Sequence, residues 1–210
     1  MIIKRILFFA PIILMIFHFI GIILFAAPQT FGLNKGTDLT WMNLTLCGLL
    51  VFFSEDNLKK ALFYLLVIGG GGFLIEWIGT ATGLLFGNYS YGGTLGFKLL
   101  DVPLLIGVNW FVIVLASANI VRDLKGGIIG KAILTAILCT IMDFVMEPVA
   151  IKFDFWSWGG EAIPFSNYLT WFIFSGIFGY IYLKNSRLKN RTASWLFLIW
   201  FVFFAVLNMI

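Results

Sequence analysis

The chain has 210 residues, of which 61% are hydrophobic and only 11% charged, with a formal net charge of +4. Charged residues make up about a quarter of an ordinary soluble domain, so this composition excludes one and points to an integral membrane protein. At this length the chain reads as one helical bundle over residues 1–210, with no second domain.

The first apolar run, "ILFFAPIILMIFHFIGIILFAA" (6–27), exceeds the roughly 20 residues that cross a hydrocarbon core. Lys4 and Arg5 precede it, as in a signal peptide, but the run is longer than an h-region and the Ala-Ala-Pro at 26–28 is a weak cleavage match. It is therefore expected to be a first transmembrane helix, at 4–27, kept in the mature chain, with Pro11 tolerated in its first turns. Further apolar segments follow at 39–53, 61–79, 103–121, 127–147, 166–183 and 193–210. The fold class expected is all-α: a polytopic bundle of about seven transmembrane helices.

Basic residues set the expected orientation. With the N-terminus inside, Lys4, Arg5, Lys59, Lys60, Arg122, Lys125, Lys131, Lys184, Arg187, Lys189 and Arg191 fall inside, and only Lys35, Lys98 and Lys152 outside. Positive-inside bias of this strength fixes topology, and an odd number of spans puts the C-terminus outside. The positive charge is then used up by topology, and no basic face remains for nucleic acid. The expected location is the cell (inner, cytoplasmic) membrane, multi-pass. The two long connections, 80–102 and 148–165, fall outside. They are rich in glycine and aromatics, and are expected to pack at the interface as short or re-entrant helices.

Several chemistries lack their residues. Cys47 and Cys139 lie in apolar runs with no C-x-x-C, and His18 is a lone histidine, so no metal site is expected. No phosphate-binding glycine motif is present, so no nucleotide cofactor is expected. What remains is a set of acids within or at the ends of apolar spans: Glu76, Asp143 and Glu147. An acid at such a depth costs about 2.5–3.5 kcal/mol on insertion scales and faces the bundle interior. Asp143 and Glu147 are four apart and share a helical face. The orientation brings these acids to the outer end with Asn109, Trp110, Ser166 and Asn167. Glu147, just before Pro148, can equally reach the interface, and Asn109 can equally be a helix–helix hydrogen bond. Trp77, Phe86, Tyr89, Tyr91, Phe155, Trp156 and Trp158 lie at the same end, where an aromatic belt accounts for most such residues. "GGGG" at 69–72 reads first as close helix packing or a kink, second as a side-chain-free groove for a long, flat, apolar substrate.

The stretches "EWIGTATGLLFGNYSYGGTLGFKLLDVPLLIGVNW" and "MDFVMEPVAIKFDFWSW…IPFSNYLTWF" resemble the carotenoid biosynthesis membrane family that includes the CruF-type carotenoid 1,2-hydratases. They cover residues 76 to 172 in the expected order. The resemblance implies addition of water across the terminal C1–C2 double bond of an acyclic carotenoid ψ-end, giving a tertiary 1-hydroxy group. Known members act on γ-carotene or lycopene in bacteria and on bisanhydrobacterioruberin in haloarchaea. It implies no cofactor, a carotenoid and water as partners within membrane lipid, and leaves association with other carotenoid biosynthesis enzymes open.

That chemistry suits the residues. Protonating the alkene requires an acid, and aromatic faces stabilise the tertiary cation that forms. Asp143 or Glu76 is the expected acid, the other orienting or deprotonating water. Glu147, Asn109, Tyr89 and Asn167 would support the pair or place the water, and Trp77, Trp110 and Trp156 would flank the cation. Two competing readings are a lycopene-type cyclase, which uses the same acid, and a carotenoid or lipid carrier. A retinal protein is excluded, because the last span has no lysine for a Schiff base.

Overall fold

The computed structural model describes residues 7–32 and 36–210. Lys4, Arg5 and Lys35, used above for orientation, lie outside the described residues. The described chain is mostly helical, with one helix for each apolar segment: α1 (Ala10–Ala26), α2 (Thr40–Phe53), α3 (Leu58–Thr82), α4 (Leu105–Val121), α5 (Ile128–Lys152), α6 (Phe165–Asn185) and α7 (Arg191–Leu207). Among the described residues, three segments are long and apolar enough to cross a membrane by length and composition: 36–53, which adds a short 3₁₀ turn to α2, and helices α3 and α5. Helices α1, α4 and α7 are apolar and 17 residues each.

Helix α4 is the axis of the bundle. Residues on all its faces are buried, from Ile106 and Trp110 through Phe111, Val112 and Ile113 to Val121. A helix apolar all round has no solvent face and belongs at a centre. It packs against α2, α3, α5, α6 and α7, while α1 lies on α7 and α5 pairs with α6. Large apolar side chains such as Leu66, Ile133, Phe144, Ile177 and Val202 cover the outside, far more than a soluble monomer exposes.

Local chemistry sets the helix ends. Asn57 begins α3 by accepting hydrogen bonds from the Lys59 and Lys60 amides at 2.9 and 3.2 Å. Gly83 ends it at φ +69°, a conformation glycine adopts without strain. Midway, residues 65–70 form a π-helical turn. Of the four glycines at 69–72, which begin within this turn, Gly69, Gly71 and Gly72 are a packing surface rather than a groove, while Gly70 faces open space. A Cβ on Gly69 would meet the Gly107 carbonyl at 2.9 Å, one on Gly71 the Phe178 ring at 2.9 Å, and one on Gly72 the Trp110 ring at 2.3 Å. The backbone of α3 thus lies directly on α4 and α6, one turn before Glu76.

Two expectations are corrected. The outer connections are not short or re-entrant helices, so the fold is not purely helical. They form two short antiparallel ribbons: β1 (Tyr89–Tyr91) pairs with β4 (Trp156–Trp158), and β2 (Lys98–Leu99) with β3 (Val102–Pro103). In the first, Tyr89 faces Trp158, Ser90 faces Ser157 and Tyr91 faces Trp156. The alternation aromatic–Ser–aromatic on both strands has the period of a strand, so all four rings share one face and both serines the other. Helix α5 also runs on through Pro148 to Lys152. Glu147 is therefore not at a helix end reaching the interface. It is 1% exposed.

At the opposite end, polar loops tie the helices together. Lys60 donates to the Asn185 carbonyl, Arg122 to the Ser186 carbonyl, and Lys189 pairs with Asp123 at 2.6 Å. Lys189 holds the Asp123 carboxyl below its usual value. Buried Glu55 accepts from Tyr182 at 2.9 Å and Asn190 at 2.8 Å, and burial pushes its carboxyl up from the ordinary glutamate value.

Candidate active site

Three acids from two helices distant in the sequence meet beneath the aromatic ribbon. Glu76 of α3 is 4% exposed and Asp143 of α5 is 1% exposed. With Glu147 they line one small cavity, closed above by Tyr89, Tyr91, Trp156 and Trp158. A charge this deep is tolerated only with partners, and each acid has them.

Glu76 receives three donors. Tyr89 donates to Oε2 in a short hydrogen bond. Tyr91 donates to the same oxygen at 2.7 Å, and the Trp110 indole N–H to Oε1 at 2.8 Å. Burial, then the neighbouring Glu76 charge, pushes both phenols far above the usual tyrosine value. They remain protonated donors at any physiological pH. Trp110 lies flat on Trp171, ring centroids 3.9 Å apart and planes 5° apart, which fixes the indole that holds Glu76.

Glu147 receives the two indoles of β4, Trp158 at 2.9 Å and Trp156 at 3.1 Å, both on Oε2. One amide links it to Asp143: Asn167 Nδ2 donates to Asp143 Oδ2 at 2.8 Å and lies 3.5 Å from Glu147 Oε1. The i, i+4 spacing on α5 makes this sharing possible. Asp143 Oδ1 has no hydrogen-bond partner among the described residues.

The site has an apolar annex. A cavity of about 170 Å³ lies between α1, α2, α4 and α7, walled by residues such as Phe17, Leu24, Leu44 and Phe203. Its rim includes the exposed side chains Phe17, Ile20 and Met42 on α1 and α2. The acid-lined cavity is only about 20 Å³, room for one water molecule, which needs about 10–15 Å³. Among the described residues the two share three wall residues: Ile106, Asn109 and Trp156.

Of the residues singled out from sequence, Glu76, Asp143, Glu147, Tyr89, Asn109, Trp156 and Asn167 all line the small cavity. Trp110 stands behind it, on Glu76. Trp77 is displaced: it lines neither cavity and is 38% exposed on the outside of α3. One residue turns a helix by about 100°, so a neighbour of inward-facing Glu76 cannot share its face. Tyr91 and Trp158 carry more of the site than expected, and Trp171 was missed. Its signal was present, since it follows Asn167 by four residues on α6. His18 also has a role unseen in the sequence. Its Nδ1 bonds the Leu14 carbonyl at 2.7 Å, and Nε2 accepts from Trp200 at 3.0 Å on the wall of the apolar cavity. Among the described residues no group of three or more His, Cys, Asp or Glu is placed to hold a metal ion.

Fold and site together define a membrane-type helical bundle whose buried carboxylates face a water-sized space beside a larger apolar cavity. The family described as carotenoid biosynthesis protein matches residues 15–210, and the chain belongs to it. A bisanhydrobacterioruberin hydratase from Haloarcula japonica is 34% identical over 107 residues, 47% of this chain and 36% of that relative's length. No solved structure matches.

Proposed function

We infer that this protein is a carotenoid hydratase that adds water to the terminal C1–C2 double bond of an acyclic ψ-end, as in lycopene or γ-carotene, without a cofactor. One observation carries the reading: three buried acids surround a space for a single water, and that space adjoins an apolar cavity able to take a polyene end. Family membership and the hydratase relative favour the same activity.

The surroundings of the acids suggest their roles. Asp143 accepts one hydrogen bond and keeps Oδ1 unengaged. Two neighbouring carboxyls are most stable with one proton between them, and Asp143 Oδ1 is where the Asp143–Glu147 pair can present it. Asp143 then delivers this proton to C2, leaving a tertiary cation at C1. The indole face of Trp156 and the ring of Trp171 flank the cation. Water adds its oxygen to C1 and gives a proton to Glu76, whose three donors suit a carboxylate that begins ionised. That proton returns to Asp143 before the next turnover, so the sum is alkene plus water to alcohol. Tyr89, Tyr91, Trp110 and Trp158 position the acids and do not touch the substrate.

All seven helices cross the membrane in this reading, N-terminus inside and C-terminus outside, in the cytoplasmic membrane. The loops rich in lysine and arginine gather at one end and the aromatic ribbon at the other, as the positive-inside rule requires. The pigment enters from the bilayer between α1 and α2, where the rim of the apolar cavity is exposed.

A cyclase would use the same acid, but would trap the cation with an internal double bond and leave the water-sized space without a use. A carrier would have no use for the buried acids. The test is turnover of lycopene by the purified protein in lipid vesicles made up in heavy-oxygen water. A product carrying one heavy hydroxyl oxygen is expected. A cyclised product without added oxygen would replace this reading.

A further inference from the structure

The cation, once formed, has two fates. Water captures it and gives the alcohol, or it loses a proton and returns to an alkene. Something must hold water where the polyene end meets the acids. Among the described residues, only Ile106, Asn109 and Trp156 line both cavities. Ile106 has no polar group. The Trp156 indole N–H is already given to Glu147 at 3.1 Å. Asn109 is different: it is half-buried, and its side chain makes no hydrogen bond among the described residues. Its amide is not sealed away as the buried, unpartnered Asn43 Oδ1, Thr40 Oγ1 and Ser117 Oγ are. The amide is therefore open to the cavities. An unpartnered amide between an apolar chamber and an acid site has one fitting ligand, a water that accepts from Nδ2 and donates to Oδ1.

The geometry points to Asn109 as the positioning residue that holds the attacking water and so decides whether the cation becomes alcohol or reverts to alkene. This rests on the hydratase reading and adds a division of labour. Asp143 governs proton delivery, and Asn109 governs capture.

The two steps separate in heavy water. Protonation then places deuterium at C2 of the pigment. If capture fails, the cation loses a proton to a carboxylate, and recovered alkene carries deuterium. The test compares wild type, Asn109→Leu and Asn109→Ser in vesicles with lycopene and D₂O, reading alcohol and deuterated alkene by mass spectrometry. Leucine keeps the volume and removes the amide, and serine keeps one hydroxyl. Asn109→Leu is expected to lower alcohol formation at least tenfold while deuterium in recovered pigment is maintained or raised. Asn109→Ser is expected to recover much of the alcohol.

Alcohol and deuterium falling together in Asn109→Leu would overturn the proposal, because the residue would then serve the fold or the proton step. Unchanged alcohol would overturn it as well. If the leucine variant does not accumulate, Asn109→Ala decides by the same two rates. Wild type that makes neither alcohol nor deuterated alkene would sink the hydratase reading itself, an outcome distinct from either failure above.

Discussion

In the proposed mechanism Asp143 and Glu76 carry the chemistry, and replacing one carboxyl oxygen tests them. Asp143→Asn and Glu76→Gln keep the shape of the side chain but cannot transfer the proton. General acid–base catalysis contributes about 10²–10⁴-fold, so each is expected to lose at least about a hundredfold in hydration at normal protein levels, read as alcohol per pigment. Full hydration by both would remove these roles. The phenols on Glu76 give a pH prediction. Both titrate well above the ordinary value of 10.0 in the folded protein. An unfolded chain therefore loses these protons first as pH rises, and the folded state loses stability above pH 10.0. Thermal melting of wild type is expected to fall over that range, and that of a Tyr89→Phe, Tyr91→Phe variant to fall less. At this scale the sequence was informative where polarity was the signal. Glu76, Asp143, Glu147 and Asn167 stand out because acids and amides are rare in apolar helices. It misled for Trp77, because a tryptophan at a membrane interface looks the same whether it faces a site or lipid.

Each element places its acid by a different device. Helix α3 does so by bare backbone: Gly72 lets it lie against Trp110, which then reaches Glu76. Gly72→Ala would put a Cβ 2.3 Å from the Trp110 ring. Overpacking of this kind costs about 1–3 kcal/mol, so a lower melting temperature and reduced hydration are expected together. A Gly72→Ala variant with unchanged activity would show that Trp110 does not position Glu76. The ribbon does so by register. Its strands meet across 67 residues at Ser90 and Ser157, and β1 supplies the donors to Glu76 while β4 supplies those to Glu147. Gly92 lies where β1 leaves the ribbon, and a Cβ there would fall 1.9 Å from the Asp154 carbonyl. Gly92→Ala is expected to part the strands and reduce hydration with little effect on helix content by circular dichroism. The helices were legible because each is a long apolar run. The ribbon was not, because strands of three residues depend on a partner far away in the chain. The Tyr-Ser-Tyr and Trp-Ser-Trp alternation was its only local trace.

The whole molecule divides its work along one axis. The polar loops at one end join α2, α4, α6 and α7 through Glu55, Asn190 and Arg122. The acids and ribbon close the other end, and the apolar cavity between α1, α2, α4 and α7 adjoins them. The sequence indicated that the acids converge at one end of the bundle, and Glu76, Asp143 and Glu147 do line one cavity. It could not indicate the cavity, whose wall draws on residues from Phe17 to Phe204 and depends on helix rotation rather than on any local pattern.

The central claim is that this bundle hydrates a polyene end, and the direct test is pigment analysis by mass spectrometry after expression in a lycopene-producing bacterium. A parallel strain supplies γ-carotene. The expected result is a product one water heavier than its precursor, bearing a tertiary hydroxyl, and absent with Asp143→Asn. An unchanged mass with a shifted absorption spectrum would mean cyclisation. Unchanged pigment in both strains, with the protein present in the membrane, would contradict hydration of these two ends.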